Sequence, residues 1–401
     1  MDSHNEGGIM TTSIILDKAV EKVKKDNIVN TLKKLISIPS ITGMEREIGE
    51  YIFNTLSEWG VSVQKNWVDK KRFNVIVRIG VKEKIPSLML NGHMDTVFPE
   101  TGEESFEPKV VGDKLYGFGS VDMKSGLSAM METARVLVEF ENHMDGEIIF
   151  SFVVDEEKDG KGTLHLVESG IRSKWAIVTE PTNMKIAPWQ MGYLDVAITI
   201  YGRPAHGGFP TKGLNAIYGA FRFLELFANS KLFKVEDKIF GKASFNVNKI
   251  IGGSGQLIVP HQCRIEININ LLPEQSENVV KEEMVRILRG LKNNGHISNF
   301  KITLSDYGPA VKISSNEPIV RIVCDAYRKV LGVNPELSVM KSWTDAETLI
   351  TKAKIPTIIF GPGDITIAHT PEEHVAIKDV LDTTKIYVAT ALNLRLLRRN
   401  S

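Results

Sequence analysis

Leu88-Met89-Leu90-Asn91-Gly92-His93-Met94-Asp95 begins apolar and ends on an imidazole and a carboxylate. Three later segments repeat that arrangement. The run from Ile148 to Val154 leads into Asp155-Glu156-Glu157, and the run from Trp175 to Val178 leads into Thr179-Glu180-Pro181. Ile358-Ile359-Phe360 is followed by Gly361-Pro362-Gly363-Asp364 and then His369. Short apolar runs alternating with helical stretches predict an α/β fold with a mixed, mostly parallel sheet flanked by helices. Sheets of this kind bind their ligands beyond the carboxyl ends of the strands. One edge of one sheet is therefore expected to gather two histidines and several carboxylates, a donor set suited to divalent zinc, cobalt or manganese.

Outward from these strands, the pattern from Ile15 to Ile38 is helical, as is that from Met44 to Trp59, closed by Gly60. Val61 to Val68 and Phe73 to Ile79 read as strands, and Thr101 to Asp113 as a surface loop. Asp122 stands at the start of a predicted helix, Met123 to Phe140, with Leu127, Met130, Met131, Ala134, Leu137 and Val138 on one face. The character changes near residues 183–190. Strands over 194–200, 243–251, 262–272 and 300–304, with helices over 215–228 and 276–291, predict a small α+β insertion. The expected division is 11–186 with 308–401, an insertion at 187–307, and a flexible tail over 1–10. The last core strand is expected at 355–360 and the closing helix at 377–397.

The sequence has 401 residues, with 49 basic and 49 acidic side chains. That balance gives no electrostatic case for nucleic acid or an anionic membrane. No apolar run approaches ~20 residues, so no membrane-spanning helix is expected. Residues 1–10 lack the basic and apolar regions of a signal peptide. Cys263 and Cys324 lack metal-site spacing and are read as reduced thiols of a cytoplasmic protein.

His93, Asp122, Glu157, Glu180 and His369 offer five ligands from five segments of the predicted sheet edge. With Asp122 shared, each of two ions would have one His, one Glu and a bridging carboxylate, leaving a position for water. Neighbouring side chains of an extended segment point in different directions, so Glu157 can bind metal while Glu156 faces the water.

Leu90-Asn91-Gly92-His93-Met94-Asp95-Thr96 and Gly117-Phe118-Gly119-Ser120-Val121-Asp122-Met123-Lys124 resemble the first two signatures of the M20 metallopeptidases. Asp155-Glu156-Glu157-Lys158-Asp159-Gly160, Thr179-Glu180-Pro181-Thr182 and Ala368-His369-Thr370-Pro371-Glu372-Glu373 resemble the remaining three, in order. The family includes acetylornithine deacetylase, succinyl-diaminopimelate desuccinylase, aminoacylase-1 and glutamate carboxypeptidase. The resemblance implies that His93 and Glu180 hold one metal, that Glu157 and His369 hold the other, and that Asp122 bridges them ahead of a cis peptide. Asp95 would orient His93, and Glu156 would be the general base. The insertion would be a ferredoxin-like lid that mediates homodimerisation. It would carry His206, in Gly202-Arg203-Pro204-Ala205-His206-Gly207-Gly208, as an oxyanion donor in the partner's site. Thr344 and Asp345 would support the site or contact substrate.

One departure from the family pattern concerns substrate. Leu257 and Asn270 stand where many members have an Asn and a carboxylate-binding Arg, and neither forms a charge-assisted clamp. Arg203 and Arg264 are the candidates to replace it. The reading is a metal-dependent amide hydrolase, with two divalent ions, zinc above cobalt or manganese, removing the acyl group of an N-acyl amino acid. Dipeptidase or carboxypeptidase activity on short peptides is the alternative. A non-catalytic binding protein on the same scaffold would be expected to lose Glu156 or a ligand, and all six are present.

Overall fold

In the computed structural model, residues 14–99, 101–102 and 105–394 are described. The expected tail and the last residues of the expected closing helix lie outside them. The chain forms two compact units, Met1–Pro188 with Ile313–Ser338 and Thr344–Ser401, and Trp189–Lys312 with Val339–Trp343.

In the first unit the strands Glu147–Val153, Leu88–His93, Trp175–Val178 and Thr357–Ile359 lie side by side and pair in parallel. Phe73–Gly80 with Val63–Trp67 on one flank, and Ile186–Gln190 on the other, pair antiparallel. Leu88–His93 and Glu147–Val153 are buried at every position, which explains runs that are apolar without alternation. Each of the four parallel strands leads into one ligand-bearing segment of the sequence, so their shared direction brings those segments to one edge.

Helices flank this sheet, among them Lys25–Ile36, Ser125–Glu139, Pro318–Leu331 and Ile377–Leu392, whose buried residues join the strands in one core. Ser125–Glu139 comes very close to the strand end that follows Val178. A Cβ at Gly126 would stand 2.4 Å from Thr179 O and 2.7 Å from Met123 Cε. Gly126→Ala, favourable by helix propensity alone, is therefore expected to destabilise the protein by about 1–3 kcal/mol through overpacking. Thermal unfolding reads this as a lower Tm, and an unchanged Tm contradicts the close approach.

Three expectations need correction. The helix expected from Ile15 to Ile38 is two, over residues 14–21 and Lys25–Ile36. Lys24 is extended, its N–H donating to Glu132 Oε1 at 2.9 Å, while Arg135 Nη2 donates to Lys22 O at 2.8 Å. The long helix starts at Ser125, because Asp122 (φ −115°, ψ 98°) and Met123 (φ −128°, ψ 39°) are not helical. Part of the expected loop before Asp113 is the strand Lys109–Val111, paired with Lys114–Tyr116.

In the second unit, Gly192–Tyr201, Ser244–Gly252, Gln262–Leu271 and Asn299–Gly308 form an antiparallel sheet. Ala216–Ala228 and Glu277–Asn293 pack against it. The chain order is βαββαβ, and the spatial order places the third strand between the second and the first, with the fourth outside the first. This is the ferredoxin-like arrangement. One face of the central strands, including Leu194, Val196, Ile198, Ile265, Ile267 and Ile269, is buried with the helices. Asn215 caps the first helix, its Oδ1 accepting from Ile217 N at 2.9 Å, and Ser276 caps the second.

Candidate metal centre

His93 ends its strand fully buried, its Nε2 3.1 Å from Asp122 Oδ1 and 3.3 Å from Glu180 Oε1. His369, at φ +59°, places Nε2 3.4 Å from the other oxygen of Asp122, Oδ2, and 3.3 Å from Glu157 Oε1. Asp122 thus stands between the two imidazoles, one carboxylate oxygen toward each. Glu156 Oε2 lies 3.8 Å from His93 Nε2. Candidate ligand atoms of His93, Asp122 and Glu157, and of His93, Glu156 and Glu180, cluster within 4.8 Å.

The charges do not balance among protein groups. Asp122, Glu156, Glu157 and Glu180 surround two imidazoles, and Glu180 Oε1 is buried without a hydrogen bond. Burial opposes charge on His93, yet Glu180, Glu156, Asp122 and Asp95 push its pKa well above the usual range. His369 is pushed up to about 10 by its hydrogen bonds to Asp122 and Glu157. Burial raises Glu156 and Glu180 well above ordinary carboxylates, with His93 opposing and neighbouring carboxylates adding to the rise. Burial also works to raise Asp122, but its bonds to the two histidines hold it low. Such a cavity calls for positive charge at its centre. Two divalent ions fit the donor set, which contains imidazole and carboxylate only.

Asp95 has a different geometry from the one expected. The nearer acceptor for His93 Nδ1 is the backbone carbonyl of Asp95 at 3.0 Å, with carboxylate Oδ1 at 3.5 Å. The carboxylate instead accepts the N–H of Glu156 on Oδ1 and that of Glu157 on Oδ2, both at 3.1 Å, and the Thr42 hydroxyl at 2.9 Å. Asp95 thus holds the backbone of Glu156 and Glu157 and also lies against His93 Nδ1.

Glu373 has no role in the sequence reading, although it lies inside a quoted motif. Buried, it accepts from Gly119 N on Oε2 at 2.9 Å and from Val121 N and Asp122 N on Oε1 at 2.8 and 3.1 Å. It ties the segment carrying His369 to the backbone carrying Asp122, where the Asp122–Met123 peptide is cis. Burial lifts its pKa to about 7 against these three bonds. Glu373→Gln replaces one acceptor oxygen by an NH2 facing backbone N–H groups. It is expected to weaken metal binding about 10–100-fold, which calorimetric zinc titration measures. Unaltered affinity contradicts the tie. The only sequence signal was an acidic residue four positions after His369, which periodicity cannot interpret.

Asp345 is buried, hydrogen-bonded to Thr163 and raised to about 7 by burial, and its charge acts on Glu156 and Glu180. Thr344 Oγ1 accepts from Ala346 N at 3.2 Å at the start of a short helix. His206 and Asn270 belong to the second unit. Exposed His206 accepts the N–H of Gly208 on Nδ1 at 3.0 Å, which puts its neutral-form proton on Nε2. Half-buried Asn270 donates to Ser244 Oγ at 3.4 Å, and Leu257 is 69% exposed.

Residues 89–393 match the model of peptidase family M20/M25/M40. The chain belongs to this family. It is accordingly an M20-family hydrolase, and the paired imidazole-carboxylate clusters agree with that family's metal dependence. Among its relatives is the acetylornithine deacetylase of Pectobacterium carotovorum, 27% identical over 372 residues, covering 88% of this chain and 94% of the relative. A protein of Ajellomyces capsulatus named "Probable carboxypeptidase" is 26% identical over 396 residues, covering 92% and 86%. The crystal structure of a tripeptidase from Staphylococcus aureus shares the fold with a TM-score of 0.79 at 24% identity, covering 93% and 99%. No helix among the described residues is long and apolar enough to cross a membrane.

Proposed function

We propose that the chain is a dinuclear metal hydrolase that removes the acyl group from an N-acyl amino acid. The observation that carries this reading is the division of the Asp122 oxygens between His93 and His369. His93 and Glu180 would hold one ion, Glu157 and His369 the other, and Asp122 both. Zinc suits the mixture best, with cobalt or manganese next. When bound, such ions lower the pKa of a water and polarise an amide carbonyl. Glu156 takes the proton of the attacking water and returns it to the leaving nitrogen. Its raised pKa in the protein alone reflects burial first and the neighbouring carboxylates second, and bound cations would oppose both. Asp95 holds Glu156 and Glu157 by their N–H groups. His206, whose Nδ1 accepts from Gly208 and leaves Nε2 as the donor, is assigned to the oxyanion in the partner's site.

We also assign a homodimer formed through the second unit, and a cytoplasmic location. The strand Ser244–Gly252 is an edge of its sheet, and Ile250, Ile251, Tyr218 and Phe221 of the same unit are exposed large apolar residues.

Relatives named as acetylornithine deacetylases support the N-acyl amino acid reading, and others named as carboxypeptidases support short peptides as the alternative. Turnover of zinc-loaded protein on a panel of N-acetyl and N-succinyl amino acids and dipeptides decides between them. Fastest cleavage of an N-acyl amino acid supports the proposal, fastest cleavage of dipeptides supports the alternative, and no cleavage contradicts both. Asn270→Arg is expected to shift preference toward substrates with a free carboxylate by about tenfold. Unchanged kcat/KM ratios between panel members and their carboxyl-amidated counterparts would remove Asn270 from substrate recognition. Arg264 stands on the same strand face, six residues or ~20 Å from Asn270, too far to take over that position.

A further inference from the structure

We infer that Glu45, Arg72 and Asp155 are positioning residues that set the direction in which Glu156 enters the site. The inference rests on the proposed role of Glu156 as base. Had the strand Glu147–Val153 continued extended, Glu156 and Glu157 would point to opposite faces of the sheet. Both instead enter one cavity, Glu156 3.8 Å from His93 and Glu157 3.3 Å from His369. The change of direction occurs at Asp155, whose φ of +70° lies in the left-handed region that side chains other than glycine rarely adopt.

That conformation is held from two sides. The Asp155 N–H donates to Glu45 Oε1 at 3.1 Å, and Asp155 Oδ1 accepts from Arg72 Nη1 at 2.6 Å. Arg72 Nη1 also donates to Glu45 Oε1 at 3.1 Å, and its Nε donates to Asp69 Oδ2 at 2.8 Å. The Glu45 and Asp155 side chains are 0% and 3% exposed, and Arg72 is 12% exposed. The next two N–H groups, of Glu156 and Glu157, go to the two oxygens of Asp95. Three consecutive N–H groups therefore end on buried carboxylate oxygens, and the Arg72 guanidinium fixes where the first of those oxygens lies. None of the three residues belongs to the ligand set.

Arg72→Met would strand two buried carboxylates, so unfolding alone could explain its loss of activity. A pair of variants at Asp155 carries the test. Asp155→Gly keeps the left-handed conformation accessible and deletes the tether, whereas Asp155→Asn tolerates the conformation and keeps an acceptor for Arg72. On the fastest substrate of the panel, Asp155→Gly is expected to lower kcat about tenfold or more, with KM within about twofold and two zinc ions per chain retained. In the zinc-free protein, its Glu156 and Glu157 amides are expected to exchange with deuterium about tenfold faster. Asp155→Asn restores both readouts. Parental kcat and exchange in Asp155→Gly, or equal damage in both variants, overturns the positioning role. Glu156→Ala is measured beside them. Full activity there sinks the assignment of the base itself, whereas an inactive Glu156→Ala with an unimpaired Asp155→Gly sinks only the positioning.

Discussion

Glu156→Ala lowers kcat on the best substrate by about 10²–10⁴-fold, the usual contribution of a positioned acid-base group, while two ions remain bound per chain. Glu156 lies at 3.8 Å from His93, farther than Asp122 at 3.1 Å or Glu180 at 3.3 Å. Its carboxylate nevertheless falls within the cluster of His93, Glu156 and Glu180, so the metal count must be read beside the rate. Because Asp95 takes the backbone N–H of Glu156, shortening the side chain leaves the segment anchored. Steady-state kinetics beside metal analysis separates the outcomes. Activity lost together with a metal ion makes Glu156 a ligand, and unaltered activity removes it from the chemistry.

Asp122→Asn has the larger effect on the metals. The substitution keeps the shape but leaves one carbonyl oxygen and an NH2, so the two histidines no longer each face an anionic oxygen of one group. At least one ion is expected to bind about 100-fold more weakly or not at all, with turnover lost in parallel. Zinc titration followed by calorimetry reads the two affinities. Two ions bound as tightly as in the parent contradict the bridging role.

The sheet and its ligand edge were legible in the sequence because fully buried strands are written as unbroken apolar runs, and because strand ends announce themselves by an abrupt change to polar residues. His93, Glu156, Glu157 and Glu180 sit at such transitions, whereas His369 lies ten residues past the strand Thr357–Ile359, beyond the loop at residues 361–364. Asp122 was legible as a chemical group and misread as local structure. Asp before an apolar helical pattern resembles a cap, whereas its backbone is held by Glu373, more than two hundred positions away in the chain. The break at Lys22–Lys24 escaped notice for the same reason. Nothing local ends that helix, and Glu132 with Arg135 supplies the competing hydrogen bonds. The second role of Asp95 was hidden too, since its turn geometry brings the carboxylate to the N–H groups of a different strand end. Residue types and transitions thus carried the donors, and long-range hydrogen bonds carried their aim.

The central claim is a pair of ions built around Asp122, and native mass spectrometry of zinc-reconstituted protein tests it most directly. The account predicts two zinc ions per folded chain in the parent, two in Glu156→Ala, and fewer in Asp122→Asn. Saturation of the parent at a single ion, with Asp122→Asn binding the same number, would contradict it.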